Sequence, residues 1–189
     1  MIVLFLVVFC MFIAIGFGIA SAVSDFKSMT IPNIYAGLIF LAFIPAYAAD
    51  AFSGSGVEFF GSWKMHLISG VLIFAITFVL FSFRLIGAGD SKLCSAFALW
   101  VGTTGLAALM FYMAIFGAVL GIMTKIMNKH KLVEAPADGS WIAKSQAGHM
   151  GVPYGIAILF GAIIAFYQLG YFSPEKLALL AGYTENTPE

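Results

Sequence analysis

Asp25 and Asp90 are the residues of this chain best placed to do chemistry. Asp25 lies in SDFKSMTIPN and Asp90 in GAGDSKL, each where an apolar run meets a polar stretch. Ionisable groups at membrane depth are costly and tend to be functional. Two carboxylates brought together share a proton, which makes one of them an acid and the other a base. Each also has a plainer reading. Asp25 could mark the end of a span, pair with Lys27 or cap a helical turn. Asp90 could be the N-cap of the following helix, with Gly87 and Gly89 forming a turn.

Composition fixes the setting. The 189 residues are 62% hydrophobic and only 10% charged, with a mean hydropathy of +1.03. A soluble domain of this size carries about 25% charged residues. The chain therefore reads as one all-α, polytopic membrane domain over residues 1–189. Its zero formal net charge gives no basic excess for nucleic acid. Cys10 and Cys94 form no Cys-x-x-Cys pair and read as small buried apolar residues. Ala20-Ser21-Ala22 resembles a signal-peptide cleavage site, but no positive n-region precedes it. The run from Ile2 to Ile19 also exceeds the usual ~7–15-residue apolar core, so a retained first span is expected.

Six spans position the two acids. The first runs from about Ile2 to Val23, with Asp25 and Lys27 after it, and Pro32 opens the second, about Asn33 to Ala49. Pro45 should kink that helix. A polar stretch from Asp50 to Lys64 precedes the third span, about Met65 to Phe83. Leu93 to Thr124 is an uncharged run of 32 residues, too long for one crossing of a ~30 Å hydrocarbon core. Gly102-Thr103-Thr104-Gly105 offers a break, giving a short fourth helix (Asp90 to Val101) and a fifth (Thr104 to Thr124). On the fifth, Gly117 and Gly121 have small-xxx-small spacing. A polar loop from Lys125 to Gly151 leads to the sixth span, Val152 to Tyr171, and a polar tail after Ser173.

With the N-terminus outside, Lys27, Arg84, Lys92, Lys125, Lys129, Lys131 and Lys144 fall inside, and only Lys64 and Lys176 outside. That bias fits the positive-inside rule and puts both aspartates on the cytoplasmic side of a cell membrane, with both termini outside. The fourth helix, at ~17 Å, is too short to span, so Asp90 is expected below the membrane surface or where the bilayer thins. His66, His130 and His149 are scattered over both sides and read as surface residues, with no joint metal site expected. The 20 Phe and nine Met read as lipid-facing and packing residues, and KIMNKHK (125–131) as a contact for anionic headgroups.

The flanking residues narrow the chemistry. Asp25, Lys27 and Ile31-Pro32-Asn33, with Gly87, Gly89, Asp90 and Lys92, resemble the two motifs of prepilin peptidases. Pro153-Tyr154-Gly155 is similar to the start of that family's last helix. The resemblance covers nearly the whole chain. It implies a Gly-x-Gly-Asp membrane aspartic endopeptidase with Asp25 and Asp90 as catalytic pair, no cofactor and no metal. Gly87, Gly89, Lys27, Lys92, Pro32 and Asn33 would shape the site. Lys27 and Lys92 have topology signalling as their plainer reading, and Asn33 helix capping. The implied partner is a single-span prepilin with a short cytoplasmic leader. The chain starts directly on a span and lacks the paired cysteines of the long prepilin peptidases, so it resembles the short branch serving Flp/Tad-type pili. No methyltransferase activity is implied. Archaeal preflagellin peptidases are near alternatives. Presenilin-like proteases pair their motif with Tyr-Asp, which does not occur here. A transport or assembly protein using the aspartates as a proton or cation site would show ion-coupled flux and no cleavage.

Overall fold

The computed structural model describes residues 1–53 and 59–183. Its elements are all helical: α1 (Ile2–Ser28), α2 (Asn33–Ala51), α3 (Trp63–Ser82), α4 (Ala88–Lys129), α5 (Trp141–Gln146), α6 (Tyr154–Gln168) and α7 (Pro174–Leu180). The first four are long and apolar enough to cross a membrane, and α6 is a shorter apolar helix.

α3 shows why the bundle belongs in lipid. Its buried positions are His66, Ser69, Ile73 and Thr77, one stripe at helical spacing. Three of those four are polar, while Leu67, Ile68, Val71, Phe74, Phe78 and Phe81 on the other faces are exposed. Polar groups inside and apolar groups outside invert the soluble pattern and suit a hydrocarbon solvent. The stripe bonds α3 to the start of α4, where the Thr77 and Ser91 hydroxyls lie 2.7 Å apart. Trp100, Phe97 and Phe166 fill the centre, and the Trp100 indole donates to the Ile39 carbonyl at 2.8 Å.

The expected break in the fourth apolar run falls at Gly102. Its backbone, at φ 60° and ψ −172°, is confined to glycine and interrupts the 42-residue α4. Cys94 Sγ and Met113 Sδ are 3.8 Å apart. In one straight helix those 19 positions would span ~28 Å, so the chain turns back on itself. The first limb, 88–101, and the second, 103–129, together with α1, α2, α3 and α6, make six apolar segments. The turn strands carbonyls that a continuous helix would satisfy. His66 Nδ1 meets the Leu99 carbonyl at 2.7 Å, and the Ser69 hydroxyl donates to the Gly102 carbonyl at 3.2 Å. The Tyr171 hydroxyl donates to the Trp100 carbonyl at 3.1 Å. A buried carbonyl left without a donor in such surroundings would cost several kcal/mol.

Several expectations need correction. α1 continues through Asp25 to Ser28 instead of ending at Val23, because the next turn still packs on α6 and the Met29 N–H closes it on the Asp25 carbonyl at 2.7 Å. His66 is 3% exposed, not a surface residue, because its ring is enclosed between the Leu99 and Phe60 carbonyls, with an N–H on whichever nitrogen carries the proton donating to one of them. His130 and His149 are exposed, and both cysteines are buried. α2, with Pro45 inside it, ends at Ala51, two residues beyond the expected Ala49. Part of the polar stretch after α2 is tied down: the buried Asp50 carboxylate accepts from the Phe59 and Phe60 N–H groups at 3.2 and 3.0 Å. Residues 54–58 of that stretch lie outside the described residues. The polar loop begins later than expected, since α4 runs to Lys129, and it contains α5. The tail after Ser173 forms α7, seating Leu180 in the core. Its end, from residue 184, lies outside the described residues.

Gly102→Ala should lower stability by ~1–3 kcal/mol. It forces a side chain into a positive-φ conformation, with a Cβ 3.1 Å from the His66 ring. A lowered thermal unfolding midpoint in detergent is the expected result. An unchanged midpoint would show that the turn does not depend on glycine.

Candidate active site

Asp25 projects from the last turn of α1 and is 5% exposed. Its Oδ2 accepts from the Gly155 N–H at 2.8 Å. Gly155 is the second residue of α6, so the carboxylate faces the positive end of a helix dipole. The charge of Lys144 also acts on Asp25. Lys144 stands on α5, and its Nζ donates to the Ser28 carbonyl at 3.0 Å.

Asp90 is the third residue of α4 and is partly buried. Its Oδ2 accepts from the Gly87 N–H at 3.1 Å. Gly87 is the N-cap and Asp90 closes the first turn from the N3 position, so part of the plainer reading describes what this carboxylate does for its own helix. The negative charge of Asp25 is also felt at Asp90, which puts the two carboxylates in one electrostatic environment.

The link between the two acids is Ile31. A Cβ at Gly89 would lie 2.9 Å from Ile31 Cβ. A Cβ at Gly155 would lie 3.2 Å from Ile31 Cδ1 and 3.2 Å from Asp25 Cβ. Ile31 thus packs against both glycines, and only the absence of side chains there lets α4 and α6 close on it. Pro32 is the N-cap of α2, with φ −59° and ψ 132°, and it sets the exit from this wedge. Lys92 Nζ then donates to Asn33 Oδ1 at 2.9 Å, tying α4 to α2. The Ile-Pro-Asn and Gly-Ala-Gly-Asp-Ser-Lys segments therefore interlock through two contacts, Ile31 on Gly89 and Asn33 on Lys92.

Lys27 is exposed on the last turn of α1 and does not share in these contacts. The sequence alone does not pair Lys144 or Gly155 with Asp25. Pro153-Tyr154-Gly155 was the available signal for Gly155, while the six-residue α5 that carries Lys144 offered none. Among the described residues no group of three or more His, Cys, Asp or Glu is placed to hold a metal ion. The groups that converge here are two carboxylates, a helix N-terminus and a lysine. Such a set can move protons to and from a water and a carbonyl oxygen.

A family model described as the type IV leader peptidase family matches residues 12–122. The match takes in both aspartates and both interlocking segments and stops short of Lys144 and Gly155. No curated protein and no solved structure matches the chain. The chain belongs to the type IV leader peptidase family.

The interlock gives an ordered set of stabilities. Gly89→Val crowds Ile31 and should lower the unfolding midpoint in detergent by several degrees. Asn33→Ala removes one exposed hydrogen bond and should cost no more than about 1 kcal/mol. The reverse order would mean that the Ile31–Gly89 contact does not hold the segments together.

Proposed function

We propose that this member of the type IV leader peptidase family is an aspartic endopeptidase that removes the short cytoplasmic leader of a single-span, Flp-like prepilin. Asp25 and Asp90 form its catalytic pair. The observation that carries the reading is the interlock of the two motifs, which leaves both carboxylates at one end of the bundle and within each other's field.

The chemistry follows from two carboxylates sharing one proton. The ionised member takes a proton from a water as its oxygen attacks the scissile carbonyl carbon. The protonated member gives its proton to the carbonyl oxygen. The tetrahedral intermediate then collapses, the C–N bond breaks, and the proton held by the first carboxylate passes to the leaving nitrogen. The protonated form is regenerated from the intermediate's hydroxyl, so the pair ends as it began. No covalent bond to the enzyme forms at any step. Gly87 and Asp90 are held together by the N–H contact, and Lys92, Asn33, Pro32 and Gly89 keep Asp90 in register with Asp25. These are positioning roles. Lys27 serves as a topology signal.

The enzyme sits in the cytoplasmic membrane with its aspartate end toward the cytoplasm. Lys27, Lys92 and Lys144 lie at that end and Lys176 near the Gly102 turn, where its Nζ donates to the Leu169 carbonyl at 2.8 Å. That distribution supports the orientation by charge.

Asp25→Ala, Asp90→Ala, Asp25→Asn and Asp90→Asn should each slow leader cleavage by at least ~10²-fold, the lower range for loss of an acid or base. Membrane insertion should be unchanged. Co-expression with a single-span prepilin and a mobility-shift readout measures this. Cleavage at the wild-type rate by any of the four would overturn the assignment.

A further inference from the structure

Among the described residues, two grooves lie beside the first limb of α4, one lined by an aspartate and the other by none. The first, of about 380 Å³, runs between α2, α3 and α4 and has Asn33 and Lys92 at one end. The second, of about 510 Å³, lies between α3, the two limbs of α4 and the start of α6, and Asp90 is part of its wall. Its remaining lining is largely apolar, and among the described residues no Lys or Arg faces it. The proposed chemistry at Asp90 needs a peptide bond to arrive from somewhere, and this cleft is continuous with that carboxylate.

We infer that this second cleft receives the apolar segment that follows the scissile bond, the first turns of the substrate's membrane span. The inference rests on the leader-peptidase reading above and adds where the substrate lies. Three features carry it. The cleft is open sideways: Ile76 lines it yet is 45% exposed, and Ala114 and Ala118 in its wall are exposed too. A single-span substrate can therefore enter from the bilayer without crossing a polar barrier. Its second-limb wall is low. Ala114, Ala118 and Gly121 lie on one face at helical spacing, with Gly117 between them covered by the Tyr154 ring, so a second backbone can approach closely at the first three.

The third feature is depth. Cys94, one turn beyond Asp90, faces Met113, so the cleft continues past Asp90 toward Met110 and Met113. From Gly117 to Met110 this is ~10 Å along the second limb. A chain whose leader stays in the cytoplasm has only its apolar side available for that depth. The volume falls within the ~300–1,000 Å³ usual for ligand sites. The cleft's one charged lining group is an acid, whereas the α2–α3 groove ends at a lysine and is lined by no carboxylate. The substrate's position thus follows Asp90, and the α2–α3 groove is left to lipid.

The test uses the full chain in membranes with a full-length single-span prepilin. Ala118→Leu and Gly121→Leu fill the cleft, where a Cβ at Gly121 meets nothing closer than Val152 at 3.9 Å. Gly37→Leu fills the other groove, where a Cβ meets nothing within 4 Å. The two cleft variants should lower the initial cleavage rate at least tenfold, and Gly37→Leu should stay within twofold of wild type. In an Asp90→Asn background that also carries Cys10→Ala and Cys94→Ala, since Cys94 itself lines the cleft, Ala118→Cys should form a disulfide with a substrate carrying one cysteine in the first turn after the cut, and Gly37→Cys should not. Cleft variants that cleave like wild type, or a cross-link at Gly37→Cys in place of Ala118→Cys, would overturn the inference while leaving the peptidase reading intact. A lipid acyl chain as the sole occupant gives unchanged rates and no Ala118→Cys cross-link, which also overturns it. A wild type that does not cleave the prepilin defeats the peptidase reading, and the placement falls with it.

Discussion

A backbone carbonyl with no hydrogen-bond donor is expensive in hydrocarbon, and the architecture depends on how that cost is met at Gly102. The 42-residue α4 turns back on itself at Gly102, and polar side chains from two other parts of the chain meet the carbonyls around the turn. His66 and Ser69 come from α3, and Tyr171 from beyond the end of α6. Without that turn the second limb would run away from the aspartates. With it, the second limb returns alongside Asp90, packs on α6, and so brings Gly155 to Asp25. The two ends of the bundle are thus joined by one requirement: satisfied polar groups at the Gly102 end allow the second limb and α6 to pack beside the aspartates at the other.

At the aspartate end the same economy applies to shape. Two glycines, one residue before Asp90 and one bonded to Asp25, leave just the room that Ile31 fills. A sequence that placed side chains at Gly89 and Gly155 could keep both aspartates and still hold them apart. Lys92 and Asn33 then bridge the surface of this contact, and Lys144 closes the carbonyl end of α1 while lending its charge to Asp25. The family match covers the two motifs but ends before α5 and α6, which supply the other half of the Asp25 environment.

What could be read from the sequence was what local signals encode. The uncharged run from Leu93 to Thr124 was too long for one crossing, and Gly102 was the place to break it. Glycines beside Asp90 and a proline after Ile31 marked the two motifs directly. The parts that escaped depend on partners far along the chain. His66 looked like a surface residue because its Leu99 carbonyl partner is 33 positions away and becomes available only when the helix breaks. Lys144 looked like loop charge because its contact with Ser28 crosses 116 positions. Asp50 carries no local signal, since its role is to hold the Phe59 and Phe60 N–H groups nine and ten positions on. The end of α1 was placed at Val23 by hydropathy, whereas packing on α6 carries the helix past Asp25.

The most direct test of the pair is a double-mutant cycle on leader cleavage by Asp25→Asn, Asp90→Asn and the combined variant. Groups that act as one catalytic unit are strongly non-additive. If Asp25 and Asp90 share a proton and a water, each single variant should lose nearly as much rate as the double, to within a few-fold. If the double variant instead loses the product of the two single effects, the aspartates act independently and the shared-proton mechanism is wrong.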